Sequence, residues 1–327
     1  MTAEPTLRVR DLSVGFAGDD GEVPAVLGVD LDVHRGELVA LLGESGSGKS
    51  VTARAVMGLA DGARVTAGEL SLGGTDLLRM PEKTRRSLRG SRMSLVFQDA
   101  LSALNPVLSI GDQIGELFRR HRGLSRREAR TRSVELLRTV GIPGAEERVR
   151  AYPHQFSGGM RQRILIAMAI ALEPDLLIAD EPTTALDVTV QAQILDLLDR
   201  LRAERDMAVL LITHDLGVVS EVADRIAVMY AGRIVETGTA EDLLARPGHP
   251  YTEALLRSVP RADSADELDA IPGTPPSPAA RPAGCAFHPR CGRVIDRCRV
   301  DRPELSTVDD DRRVACHRAE EVLHVSR

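Results

Sequence analysis

The stretch Gly43-Glu44-Ser45-Gly46-Ser47-Gly48-Lys49-Ser50 constrains the fold more than any other feature of this chain. Its spacing, G-x-x-x-x-G-K-[ST], is that of a phosphate-cradling loop, and such a loop works only between a buried strand and the start of a helix. The flanks meet that demand: Glu37–Leu42 (ELVALL) reads as a short, mostly apolar strand, and a helix is expected from Ser50. The glycines let backbone N–H groups close around phosphate oxygens, and the helix N-terminus adds the positive end of its dipole. Lys49 would reach the β- and γ-phosphates, the Ser50 hydroxyl would ligate Mg²⁺, and Val51 follows it. The chain has only two lysines, Lys49 and Lys83, against 40 arginines. A compact ammonium therefore stands at 49 where guanidinium is the habit.

Two further stretches fit the same chemistry. Leu176-Leu177-Ile178-Ala179 is an apolar strand that ends in Asp180-Glu181. Asp180 would hold Mg²⁺, and Glu181 would polarise an attacking water as general base. Ser157-Gly158-Gly159 precedes the apolar helix that carries Ile164–Leu172. Ser157 can cap that helix, and its glycines open the first N–H groups to an anion. One chain then holds two anion-binding helix starts, an arrangement that a head-to-tail pair of chains accounts for, each Ser157 loop facing the other chain's phosphate loop. Strands alternating with helices on both sides of these motifs argue for a mainly parallel α/β sheet. Residues 100 to 156 have another texture: Asn105-Pro106 marks a turn, Ser125-x-x-Glu128 is a capping box, and Ala129, Leu136, Leu137 and Val140 give the helix that follows an apolar face ending at Gly141.

Composition sets the limits. With 327 residues the chain is long enough for about two domains. Its 42 basic and 48 acidic residues leave a formal charge of −6, which argues against a nucleic-acid coat or a polybasic membrane anchor. The longest apolar run is the nine residues Ile164–Leu172, well short of the ~20 a membrane span needs. Met1–Arg10 shows no apolar core of a signal peptide, so a cytosolic location is expected. Residues 115 to 150 hold ten arginines and five glutamates, which reads first as a solvated helical face and second as a surface for a partner or anionic headgroups. Five prolines between Pro272 and Pro282 read as a stiff linker. All four cysteines follow it, as Cys285-x5-Cys291-x6-Cys298-x17-Cys316. Disulfides do not suit a cytosolic chain. Four thiolates suit zinc or an iron–sulfur cluster, with loops longer than the usual zinc knuckle, while free thiols stay open. His288 and His317 stand beside the set.

With these stretches in order, the chain resembles ATP-binding-cassette ATPases. Gln98 in Val96-Phe97-Gln98-Asp99 matches that family's Q-loop, Ala185-Leu186-Asp187 its D-loop, His214 after Leu210-Leu211-Ile212-Thr213 its switch histidine, and Phe16 its adenine-stacking aromatic. The phosphate loop with Val51, Leu104-Asn105-Pro106, Phe156-Ser157-Gly158-Gly159-Met160, His249-Pro250-Tyr251-Thr252 and the tail Gly284-Cys285-Ala286-Phe287-His288-Pro289-Arg290-Cys291 are similar to ATP-binding subunits of bacterial dipeptide/oligopeptide importers. Phe156 and Met160 replace the Leu and Gln of many relatives and leave the Ser-Gly-Gly site intact. Val51 replaces a common Thr, which removes one hydroxyl from the phosphate contacts.

The resemblance implies a P-loop NTPase cassette: a mainly parallel sheet core, an antiparallel β lobe and a helical subdomain at about 100–160, all within 1–258, then a Pro-rich linker at 259–283 and a small Cys-rich extension at 284–327. It implies ATP and Mg²⁺ as ligands, with Mg²⁺ on Ser50, Gln98 and Asp180, and catalysis by Glu181, His214 and Gln98. ATP contacts fall on Phe16, Gly43 to Val51 and Asp187, while Ser157, Gly158 and Gly159 meet the opposite protomer's ATP. It implies a 4Fe–4S cluster, or else Zn²⁺, on Cys285, Cys291, Cys298 and Cys316. The implied partners are two permease subunits, a second ATPase subunit (copy or paralogue) and an extracytoplasmic substrate-binding protein, at the cytoplasmic side of the membrane and without nucleic acid. Importers of nickel or other small solutes carry similar subunits. A cassette acting in translation or DNA repair fits less well, because the tail has a single aromatic, Phe287, and a balance of charge that suits neither RNA nor DNA.

Overall fold

The computed structural model describes residues 4–18, 21–258, 271–309 and 311–325. Of the expected linker 259–283, residues 259–270 lie outside the described residues. The chain forms two compact units. One holds His34–Glu37 and Arg79–Leu211, and the other the described parts of Thr2–Val33, Leu38–Leu78 and Ile212–Arg327.

The second unit contains an antiparallel lobe and part of a larger sheet. In the lobe, Leu7–Gly18 lies between Gly21–Val33 on one side and Glu69–Leu72 on the other, with Thr75–Asp76 beyond and Ala63–Thr66 paired along its second half. Leu7 and Val9 are buried, then Leu12 and Val14. The change from odd to even positions follows from a register shift at Asp11, whose φ is +50° and whose N–H is taken by the Asp30 carboxylate at 2.8 Å. The extra residue flips the pleat and keeps the apolar side chains on one face. In the larger sheet Leu38–Leu42 pairs parallel with Arg225–Tyr230, which pairs antiparallel with Arg233–Thr239. Arg312–Val314 extends that sheet from the C-terminal stretch, and Ser306–Asp309 pairs with it in turn. Every residue of Leu38–Leu42 is buried, as a strand covered on both faces must be.

The first unit pairs Met93–Val96 parallel with Leu176–Asp180. The helices Ile110–Arg122, Arg126–Thr139, Gly158–Ile170 and Val188–Arg205 belong to it. The Ser125 box forms as the sequence predicts: Glu128 N donates to Ser125 Oγ at 3.3 Å, and Ser125 N donates to the Glu128 carboxylate at 2.9 Å. The helix stops at Gly141, which takes φ +77°. Ala129, Leu136, Leu137 and Val140 are its buried face. Among the described residues no helix is long and apolar enough to cross a membrane.

Candidate nucleotide site

The buried strand Leu38–Leu42 delivers the chain into Gly43, and the helix Lys49–Val56 leaves the loop at its other end. A Cβ on Gly43 would stand 2.2 Å from the Met229 carbonyl, so nothing larger passes there. Gly48 caps the helix with φ +108°, a conformation that glycine alone adopts at no steric cost. The outer chain holds the loop in place: Gly232 N donates to Ser47 O and Leu27 N to Gly232 O, both at 2.8 Å. Lys49 is 4% exposed. Its Nζ donates to the Gly43 carbonyl at 2.6 Å and the Glu44 carbonyl at 2.9 Å. The Ser47 hydroxyl is buried without a hydrogen-bond partner. A buried, orphaned hydroxyl beside a buried ammonium fits a phosphate group, which would satisfy both. Val51 and Thr52 continue the helix, Thr52 Oγ1 donating to Gly48 O at 3.0 Å.

The same unit holds Phe16 and His214. Phe16 lies in the lobe strand opposite Val23 and Ala63 and is half-buried. His214 is exposed at the end of Ala208–Thr213, just before Asp215 caps the next short helix by accepting from Gly217 N at 2.8 Å.

The other unit holds the acids. Asp180 is the buried last residue of Leu176–Asp180. Glu181 follows with φ +48°, in the left-handed region, and ends the strand. Gln98 Nε2 donates to Glu181 Oε2 at 2.8 Å, and Thr184 Oγ1 donates to the same oxygen at 2.9 Å. The structure thus brings Gln98 and Glu181 together from 83 positions apart. Thr184 is a partner the sequence reading missed, since a hydroxyl three residues on carries no pattern of its own. Gln98 and Asp180 in this unit, like Ser50 in the other, carry oxygen donors, the donor type Mg²⁺ prefers. Ser157 caps Gly158–Ile170 by accepting from Met160 N at 3.3 Å, and Asp187 caps Val188–Arg205 by accepting from Val190 N at 2.9 Å. These two starts approach each other: a Cβ on Gly158 would lie 3.5 Å from the Leu186 side chain, and one on Gly159 only 2.4 Å from Val190 Cγ1.

The iron–sulfur expectation is corrected by the structure, and with it the zinc alternative. Among the described residues no group of three or more His, Cys, Asp or Glu side chains is placed to hold a metal ion. Burial raises the thiols of Cys285 and Cys291 and pushes Cys316 up to about 12, with the neighbouring thiols adding to the effect. The thiols take structural roles instead. Cys291 Sγ accepts from Arg293 N and Cys316 Sγ from Arg318 N, both at 3.4 Å, and Cys285 and Cys291 pack against the apolar core. His288 Nδ1 lies 3.0 Å from Cys285 O and His317 Nε2 3.0 Å from Asp301 O, each turned to backbone.

Residues that the sequence reading did not single out surround Glu44. Arg290 Nη1 and Nη2 donate to its two carboxylate oxygens at 2.7 and 3.0 Å, and Glu44 N donates to Tyr251 Oη at 2.9 Å. Arg290 and Tyr251 stand inside stretches that carried the resemblance, yet nothing local in those stretches tells what they touch.

A family profile described as "ABC transporter" matches residues 26–184, and one described as "Oligopeptide/dipeptide transporter, C-terminal region" matches residues 235–298. The dipeptide transport ATP-binding protein DppD of Bacillus subtilis is 50% identical over 316 residues, covering 96% of this chain and 94% of that protein. The oligopeptide transport ATP-binding protein AppD of the same organism is 48% identical, covering 96% and 97%. DppD of Escherichia coli is 49% identical, covering 95% and 96%. Among solved structures, a dimeric post-hydrolysis state of the ATP-binding cassette MJ0796 bound to ADP and Pi aligns with TM-score 0.65 and 28% identity over 72% of this chain and 98% of that one. With loop, acids and caps in this order and half of its residues shared along nearly its whole length, the chain belongs to the ATP-binding subunits of ABC transporters, in their oligopeptide/dipeptide branch.

Proposed function

We propose that the Gly43–Val51 loop holds the phosphates of ATP, with Lys49 and the Ser47 hydroxyl directed at phosphate oxygens and Phe16 against the adenine. The observation that carries this reading is the buried Lys49 ammonium beside an orphaned buried hydroxyl at the start of a helix. Ser50, Gln98 and Asp180 would hold Mg²⁺. When bound, the ion offsets negative charge on the transferring phosphoryl group. Glu181 acts as general base: Gln98 and Thr184 orient its carboxylate, which takes a proton from the attacking water. His214 contacts the γ-phosphate. Asp187 borders the nucleotide, and Ser157, Gly158 and Gly159 present a helix start to the nucleotide of the partner cassette. A ligand shared in this way links binding to dimerisation.

The chain is an ATPase whose family powers peptide transport through membrane permeases by pairing cassettes. For this chain the cargo is di- or oligopeptides, as the names of its relatives support. Its partners are two permease subunits, a second cassette and an extracytoplasmic substrate-binding protein, and it works peripherally at the cytoplasmic face of the membrane. Residues 1–258 act as the cassette, with the permease-facing helices at about 100–160, and 284–327 as its C-terminal extension.

Glu181→Gln tests the mechanism. The variant should bind ATP, lose turnover by roughly 100-fold or more, and accumulate as an ATP-dependent dimer on gel filtration. Turnover at the wild-type rate would remove Glu181 as base.

A further inference from the structure

Glu44 is an odd residue for a phosphate loop, because its carboxylate adds negative charge where an anion must bind. All of its polar groups are engaged. Its N–H donates to Tyr251 Oη at 2.9 Å, its carbonyl accepts from Lys49 Nζ at 2.9 Å, and its carboxylate is gripped by both terminal nitrogens of Arg290. The Arg290 side chain is 4% exposed, against 25% for that of Glu44. Its Nε donates to the Pro272 carbonyl at 2.8 Å, and Nη1 also reaches Tyr230 Oη at 3.3 Å. The guanidinium lies 5.9 Å from the ring centroids of Tyr230 and Phe287. Tyr230, Tyr251 and Phe287 pack on one another with centroids 4.6 to 5.4 Å apart. The chain has only eight aromatic residues, five Phe and three Tyr; three of them are spent here. Arg290 lies within the Cys285–Cys291 stretch, so that stretch reaches the phosphate loop through a forked ion pair whose guanidinium is buried.

We propose that Arg290 is a positioning residue for nucleotide binding: by gripping and neutralising Glu44 it ties the seating of the Cys285–Cys291 stretch to the shape and charge of the phosphate loop. The physical reason is twofold. A bidentate guanidinium–carboxylate pair fixes orientation as well as charge, which a lysine does not. Without it, a carboxylate in a partly buried loop repels the phosphates with little solvent screening. The inference rests on the assignment of this loop to ATP.

The test titrates Mg–ATP into the full-length chain by calorimetry and follows ATPase kinetics. Arg290→Met should raise the Kd for ATP about tenfold, raise KM in parallel, and leave kcat at saturating ATP within about twofold. Arg290→Lys keeps a positive charge without the fork and should show a smaller rise in Kd, about threefold. Glu44→Gln combined with Arg290→Met should recover most of the affinity, because no carboxylate is left to neutralise. Wild-type affinity in both single variants, or a double variant no tighter than Arg290→Met, overturns the proposal. Should Arg290→Met fail to fold, Arg290→Lys decides alone, and an unchanged Kd overturns it. Lys49→Ala separates the two readings. Lost binding there beside unchanged Arg290 variants overturns the clamp only, while unchanged binding in Lys49→Ala overturns the loop assignment beneath it.

Discussion

His249 is 1% exposed, and its ring serves two backbone partners. Nδ1 accepts from Tyr251 N at 3.0 Å, and the ring also bonds the Ala315 backbone. Only the neutral ring can accept at Nδ1, and burial lowers its pKa from the ordinary 6.5 to about 3. Between those values the unfolded chain binds a proton that the folded chain refuses. The contribution of His249 to stability is therefore complete above pH ~6.5 and is lost as the pH falls toward 3, with a limiting slope of roughly 1.4 kcal/mol per pH unit. Denaturant titrations at pH 7, 6, 5 and 4 should show this loss, and His249→Asn should flatten it. An acid limb equally steep in the variant would assign it to other groups. The sequence places His249 before a proline at a helix start, but its burial, and so its pKa, is settled by residues far along the chain.

Helix starts are the elements that the sequence displays best. Ser125 and Ser157 cap the helices expected of them, and Asp187 caps Val188–Arg205 in the same way, because a cap joins a side chain to an N–H only three residues on. Gly159 shows where that reading stops. It fits an anion-binding start, but a Cβ there would strike Val190 Cγ1 at 2.4 Å, so it also lets the helices Gly158–Ile170 and Val188–Arg205 meet. Gly159→Ala should destabilise the chain by about 1–3 kcal/mol through overpacking. Adding Val190→Ala should recover most of that in thermal melts. A Gly159→Ala variant as stable as wild type would leave the glycine with nucleotide contact alone.

At the scale of the molecule, the C-terminal stretch is fastened by a second enclosed ion pair. Arg312 Nη2 lies 2.6 Å from Glu236 Oε1, with side chains 5% and 0% exposed. Glu236 also accepts from Gly248 N at 2.7 Å and His249 N at 3.0 Å, and Arg312 also donates to the Arg246 carbonyl. Removing one partner of such a pair costs about 3–5 kcal/mol, since the other charge stays buried. Arg312→Met should therefore loosen the pairing of Arg312–Val314 with Arg233–Thr239, and limited proteolysis should cut the stretch beyond residue 300 sooner than in wild type. Arg312→Met with Glu236→Gln should restore resistance. Cleavage at the wild-type rate in the single variant would show that the strand is held by its backbone and apolar contacts instead.

The sequence alone determined the α/β class, the phosphate loop, the acid-ended strand, the helix caps and the family. Each is written in neighbours a few residues apart, where loop closure, capping and strand burial are decided. It also placed all four cysteines in one stretch, but clustering in sequence does not arrange ligands in space, and among the described residues no group of three or more His, Cys, Asp or Glu side chains is placed to hold a metal ion. Only the tertiary structure decided which distant groups meet: Gln98 with Glu181 across 83 positions and Arg290 with Glu44 across 246. Pairs of that kind carry no period or motif. They exist because the packed chain brings groups far apart in sequence within hydrogen-bond reach, and that approach is a property of the tertiary fold rather than of any local stretch.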